Sequence, residues 1–171
     1  AIFAEKVIVE INTNLSPAFE GLHDIYIPPM RPTRGAIPLT EVDQRIGTSA
    51  IKVDPSKIVG IVINSELHDS PSTVTEPDDE TQGIADHLIA FFEKEVAEDR
   101  LPKNLGPLQA GIGSIANAVL TGLKDSNFED LIMYSEVLQD CTFELIDAGK
   151  MKFASGSSIT LSAKYGEKVF N

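Results

Sequence analysis

Two stretches carry residue types that could do chemistry. The first is Gly111-Ile112-Gly113-Ser114-Ile115-Ala116-Asn117, a glycine turn leading into a helix. The second is Met133-Tyr134-Ser135-Glu136-Val137-Leu138-Gln139-Asp140, a short apolar strand that ends on a carboxylate. In an open α/β sheet, ligands bind beyond the carboxyl ends of the strands. Two such ends side by side would surround one point with backbone N–H groups and a single Glu. Glycines let the chain turn sharply and come close to a ligand. The helix start that follows offers unpaired N–H groups and partial positive charge, which can stabilise an oxyanion. This is the raw material of acyl chemistry, with Glu136 as nucleophile or general base.

Local chemistry leaves a blander alternative open. A Glu at the opening of a helix is a routine partner of the helix dipole. Other site types are excluded by their motifs. The GxGxxG dinucleotide fingerprint fails, because Ala116 stands where the third glycine would be. There is no Walker loop and no GxSxG elbow. Ser135 lies beside Glu136, but no His is placed to act as its base. In Glu20-Gly21-Leu22-His23-Asp24, His23 has no second His at ligand spacing, since His68 and His87 are far off, so no metal site is expected. Arg31 and Arg34 suit a phosphate or, more commonly, a carboxylate at a domain interface. The single cysteine, Cys141, rules out an internal disulfide and reads as a small semi-buried side chain on a helix.

The elements that must position the Gly111–Gly113 turn and Glu136 follow from periodicity. Lys6 to Asn12 is short and β-branched, a buried or half-buried strand. Asn12 to Thr48 is rich in Pro and Gly and reads as extended loop, with a turn of helix near Val42. A loop this long inside a compact domain points to function, or to packing against something else. Ile51 to Val53 and Lys57 to Ile63 read as two strands about Asp54-Pro55. Glu66 to Asp79 collects Ser, Thr, Pro and Asp and reads as a linker. The expected domains are therefore 1–65 and 80–171, joined by 66–79. From Asp78 the period becomes helical, with Ile84, Leu88, Phe91, Phe92 and Val96 on the apolar face and Pro102 as the stop. Leu108 to Ala110 is a short strand, and a helix runs from Ser114 to Leu123. Leu131 to Ser135 is the next strand, and a helix runs from Val137 to Ala148 with Gly149 just past its end. Lys152 to Ala154 and Ser158 to Leu161 supply more strand. Short apolar strands alternating with helices predict an α/β fold, a mostly parallel sheet flanked by helices.

The totals bound the partners. The chain has 171 residues, 42% of them hydrophobic and 23% charged, as in an ordinary globular protein. Its formal net charge of −12 repels phosphate backbones, so nucleic acid is not an expected partner. Any polyanionic ligand must then be held by a local basic or amide-rich site. No apolar run is long enough to span a bilayer, so no membrane is expected. Ala1 to Asn12 carries Glu5 and Glu10 and lacks the pattern of a signal peptide. The chain opens on Ala, as a processed or excised piece would.

Taken together, Leu108-Gln109-Ala110-Gly111-Ile112-Gly113-Ser114-Ile115-Ala116-Asn117-Ala118-Val119 and Tyr134-Ser135-Glu136-Val137-Leu138-Gln139-Asp140 resemble the acetyl-CoA hydrolase/transferase family. That family includes the succinyl-CoA:acetate and butyrate-type CoA-transferases of class I. Val7 to Asn14, Glu20 to Asp24 and Arg45-Ile46-Gly47 to Asp54-Pro55 are also similar to its middle region, so the resemblance covers nearly the whole chain. It implies a partial class I CoA-transferase fold: the end of a first domain and the first part of a second. It also implies that Glu136 is the nucleophile and that the Ile112 backbone amide binds the oxyanion. Gly111, Gly113 and Asn117 would lie at the coenzyme A site. The implied partners are an acyl-CoA and a small carboxylate such as acetate or succinate. Coenzyme A would be a substrate, and no permanently bound cofactor is expected. The alternatives that stay open are an acyl-CoA hydrolase using the same Glu, and a non-catalytic α/β module in which Glu136 caps a helix. The family's members are longer, so the chain alone is expected to be inactive or nearly so. Uncovered apolar surface would favour self-association, a homodimer included. A cytoplasm and a mitochondrial matrix suit this chemistry equally.

Overall fold

The computed structural model describes residues 1–66 and 77–170. Of the expected linker, residues 67–76 lie outside the described residues. The chain divides into two compact units, Ala1–Ser70 with Phe170–Asn171, and Pro71–Val169. Among the described residues, every pairing between named strands is parallel, and helices flank the strands of the second unit. This is the α/β architecture that the alternation of strand and helix signals predicts.

In the first unit, β1 (Val7–Asn12) and β2 (Ile58–Asn64) form one parallel pair, in register from Ile8 opposite Gly60 to Asn12 opposite Asn64. Ile8, Val59, Ile61 and Ile63 on these strands are all exposed. The long connection between them has little regular structure, yet it is clasped. The Asp24 carboxylate accepts the N–H groups of Ile46 (3.1 Å) and Gly47 (2.6 Å). The Arg45 guanidinium donates to the carbonyls of Gly21 (2.8 Å) and His23 (2.7 Å). Ile25 and Thr48 exchange both backbone hydrogen bonds across an isolated antiparallel bridge. A Cβ on Gly47 would stand 2.3 Å from the carbonyl carbon of Ile25, so only glycine lets the two segments meet this closely. The expected strand at Ile51–Val53 does not form, because a strand needs a ladder partner and none pairs with it among the described residues. Instead Asp54 caps a single 3₁₀ turn, Pro55–Lys57, and hands the chain to β2. Near Val42 there is a turn and no helix.

The second unit opens with α1 (Asp79–Ala97), capped by the Asp78 carboxylate, which accepts the N–H (2.8 Å) and hydroxyl (2.5 Å) of Thr81. Its buried face runs through Thr81, Ala85, Ile89, Phe92 and Val96. That face is turned from the expected stripe: Phe91 is 51% exposed and only Phe92 joins the core. The helix also ends before Pro102. Asp99 takes a left-handed φ of 56°, and the N–H groups of Asp99 and Arg100 close back on Val96 and Glu95. A three-stranded parallel sheet follows, in the order β3 (Pro107–Leu108), β4 (Leu131–Tyr134), β6 (Met151–Ser155). Between β3 and β4 runs α2 (Ser114–Asp125).

After β4 the structure departs from the expected helix at Val137–Ala148. Val137–Leu138 is a strand, β5, paired in parallel with β7 (Ser158–Ile159). The helix α3 (Asp140–Asp147) starts only after Gln139. Branched Val137 finds a ladder partner in Ser158, and Leu138 drops into the core, so pairing wins over helix propensity here. At its other end α3 closes as expected. Gly149, with φ 70°, and Lys150 return their N–H groups to Ile146 and Leu145. Last comes α4 (Ala163–Phe170), preceded by Ser162, whose N–H and hydroxyl donate to the two carboxylate oxygens of Asp140.

Leu131 and Met133 alternate onto one face of the sheet and are fully buried against Leu120 and Leu123 of α2 and Cys141 and Leu145 of α3. Tyr134, on the opposite face, is half exposed. Among the described residues no helix is long and apolar enough to cross a membrane.

Candidate active site

β3 and β4 are parallel neighbours, with Leu108 opposite Met133. Their carboxyl ends therefore leave the sheet at the same edge. Past that last ladder pair the strands stay tied by one side chain. The Ser135 hydroxyl accepts the N–H of Ala110 (3.3 Å) and donates to the carbonyl of Ala110 (3.0 Å). Gly111 and Glu136 are the next residues on each strand. Neighbouring strands lie ~5 Å apart, so the glycine turn and Glu136 emerge side by side.

The backbone of Glu136 is pinned from the other flank as well. The N–H of Ser135 donates to the carbonyl of Ser155 (2.8 Å). The carbonyl of Glu136 takes three donors: the N–H (2.8 Å) and hydroxyl (2.7 Å) of Ser157, and the N–H of Ser158 (3.2 Å). A Cβ on Gly156 would stand 2.9 Å from Cγ of Leu138 and 3.4 Å from that carbonyl, so glycine is what lets the two strands break together here. Thus β4 continues into β5, and β6 into β7, through paired two-residue breaks. Glu136 sits in the first break, its main chain held and its side chain exposed.

The glycine turn is shaped for donors. Gly113 is the N-cap of α2, with φ 146° and ψ 167°, a region that glycine alone adopts readily. No side chain caps α2. Ile112 is 75% exposed. Beside it an apolar cleft of about 530 Å³ opens, lined by Phe92, Leu108, Ala110, Ile112, Val119 and Leu120 among others. Glu136 is not among its lining residues.

So Gly111, Ile112, Gly113 and Glu136 come to one edge. Asn117 does not join them: only 8% exposed, it turns into the core, where its side-chain oxygen accepts the Cys141 thiol at 3.6 Å. Burial pushes the Cys141 thiol up to about 11, so it stays protonated at neutral pH. The helix-cap role for Glu136 does not fit, because the N-cap of α3 is Gln139. Among the described residues no group of three or more His, Cys, Asp or Glu could hold a metal ion. Sequence reasoning missed Ser135 as a tie and Gly156-Ser157 as the cradle. A serine directly before the carboxylate, and a Ser-Gly-Ser-Ser run between two short strands, were the available signals.

No protein-family profile matches the chain. Curated proteins do. The chain is 48% identical over 168 residues to an acetyl-CoA hydrolase of Schizosaccharomyces pombe, which takes in 98% of this chain and 32% of that protein. It is 47% identical over 167 residues to those of Eremothecium gossypii and Neurospora crassa, again over 98% of its length. The chain is similar to acetyl-CoA hydrolases along nearly its whole length. The resemblance read from the Gly111 and Glu136 motifs is therefore a relationship that runs almost end to end. The chain spans about a third of the length of these relatives. A structure of a RipA mutant superposes over 92% of this chain and 32% of its own, with a TM-score of 0.50 at 19% identity, a likeness of fold alone.

Proposed function

We propose that this chain carries the nucleophile of a CoA-transferase that moves CoA between an acyl-CoA and a free carboxylate. The Glu136 carboxylate attacks the thioester carbonyl and expels CoA thiolate, forming a mixed anhydride. The thiolate then attacks the Glu136 carbonyl of that anhydride. The donor's carboxylate leaves and a glutamyl-CoA thioester remains. An incoming carboxylate attacks this thioester and re-forms an anhydride with the new acyl group. CoA thiolate then takes that acyl group and frees Glu136. The Ile112 N–H stabilises the oxyanion of each tetrahedral intermediate. Gly111 and Gly113 let the backbone approach coenzyme A.

The observation that carries this reading is the Ser135–Ala110 tie, which sets the glycine turn and Glu136 at the same sheet edge. The pinned main chain and exposed side chain of Glu136 also suit a group that must swing between attack and release. A second reading, hydrolysis, is favoured by the names of the relatives. Water attack on either intermediate would give a free acid and CoA, and water exclusion separates the two outcomes. Both Glu136 and Ile112 stand open to solvent here. Because the chain spans only about a third of its relatives' length, the isolated chain is inactive or nearly so, and robust CoA transfer by it would refute this.

The test uses a chimera in which this chain replaces the matching third of the S. pombe protein. Acetyl-CoA is supplied with labelled acetate or succinate, and both acyl exchange and free CoA are followed. Exchange that outruns CoA release supports transfer; CoA release unaffected by carboxylate supports hydrolysis. Glu136→Gln should lower either activity by ~10³-fold or more. Unchanged activity would remove Glu136 from the mechanism.

A further inference from the structure

Ser135 stands beside the nucleophile and takes no part in the chemistry described above. It is 8% exposed, and its hydroxyl is fully engaged: it accepts the N–H of Ala110 and donates to the carbonyl of the same residue. Its proton is committed to a carbonyl, and among the described residues no base bonds it, so it does not act as a second nucleophile. Its backbone N–H is bound to Ser155 on the opposite flank. Ser135 thus spans the sheet at the level where the β3–β4 ladder has already ended at Leu108 and Met133. The residue it holds lies two before Ile112, and Ser135 itself lies one before Glu136. Nothing else that bonds Ala110 to β4 is present among the described residues.

We propose that Ser135 is a positioning residue: by gripping Ala110 it sets the separation between the Ile112 amide and the Glu136 carboxylate. This rests on the reading of Glu136 as nucleophile. A hydroxyl does here what a backbone ladder cannot. It keeps two strand ends together while leaving both main chains free to turn out of the sheet. Oxyanion donors act only when aimed at the place where charge develops, and a displacement of ~1 Å can cost ~100-fold in rate. Loss of the grip misaims the oxyanion donor on the turn while removing no group that binds the substrate. The loss therefore falls on kcat and leaves KM.

The test has two arms. In the 171-residue chain, Ser135→Ala should speed amide exchange at residues 110–113 by roughly 5–30-fold, the loss of two weak net hydrogen bonds, while exchange in α1 stays unchanged. In the chimera, Ser135→Ala should lower kcat ~30–100-fold with KM for acetyl-CoA within twofold and the pH profile unmoved. Ser135→Thr, which keeps the hydroxyl, should recover most of the rate. If Ser135→Ala does not fold, Ser135→Cys, similar in volume and weaker in hydrogen bonding, takes its place in both arms. Unchanged exchange would overturn the grip itself. Faster exchange with unchanged kcat would overturn its catalytic consequence. Glu136→Gln in the same chimera separates these failures from that of the underlying reading, since full activity there condemns the nucleophile and leaves the exchange arm standing.

Discussion

The two glycines of the turn differ in what they are for, and the difference can be measured. Gly113 adopts φ 146° and ψ 167°, and a Cβ there would meet nothing within 4 Å. The cost of Gly113→Ala is therefore backbone strain alone, about 1–3 kcal/mol. Reduced freedom of the unfolded chain offsets roughly 0.4–1 kcal/mol of it. The midpoints leave a net loss of about 1.3 kcal/mol, and in a unit of this size each kcal/mol lowers Tm by roughly 4–8 °C. Gly111 is outside the left-handed region, and its Cβ would also stand in open space. Gly111→Ala should thus leave stability unchanged or raise it by up to ~1 kcal/mol. If Gly111 is glycine so that coenzyme A can come close, the methyl group will impair activity in a protein that is no less stable. Thermal and urea melts of the three chains followed by circular dichroism, together with turnover of the matching chimeras, read both effects. A Gly113→Ala chain as stable as the parent would refute the strain argument. A Gly111→Ala chimera with full activity would refute the close-approach argument.

Other outcomes follow from the same geometry. Gly47→Ala drives a Cβ into the Ile25 backbone at 2.3 Å. It should open the clasped loop, seen as faster proteolysis within residues 12–48 and no change in the second unit; equal cleavage would count against the clasp. Burial raises the Cys141 thiol from 9.0 to about 11. Its contribution is whole below pH 9 and is lost as pH rises from 9 toward 11, so the stability lead of the parent over Cys141→Ala should shrink across that window. Alkylation of Cys141 should be slow at pH 8 and speed up on unfolding; fast labelling of the folded chain would contradict its burial. The apolar residues exposed on β1 and β2 should drive self-association, with Ile61→Lys and Ile63→Lys lowering the mass seen by light scattering. A strictly monomeric parent would refute this.

The parts of the fold that were legible in the sequence are those where local pattern and tertiary need agree. The run Leu131 to Tyr134 is apolar and short, and it is the central strand. The helix expected over Ser114 to Leu123 is α2, which buries Ala118, Leu120 and Leu123. Asp78 and Gly149 cap their helices as their chemistry dictates. The misses arise where a distant partner decides. Val137 and Leu138 look helical beside Gln139 and Asp140, but Ser158 and Ile159 offer them a ladder. Phe91 looks like core beside Phe92, yet the stripe through Ala85 and Ile89 leaves it outside. Pro102 looks like the end of α1, yet Asp99 turns the chain first. At the site, the Gly-Ile-Gly turn and Glu136 could be picked out by type. The hydroxyl that couples them could not, because its partner Ala110 is 25 residues away in sequence.

The most direct test is to find where CoA becomes attached. The chimera is incubated with acetyl-CoA, reduced with borohydride, digested and sequenced by mass spectrometry. Reduction of the thioester should leave the alcohol of the residue at 136 and at no other carboxylate, and Glu136→Gln should abolish it. A trapped adduct on a different residue, or turnover with no trapped adduct at all, would contradict Glu136 as the nucleophile.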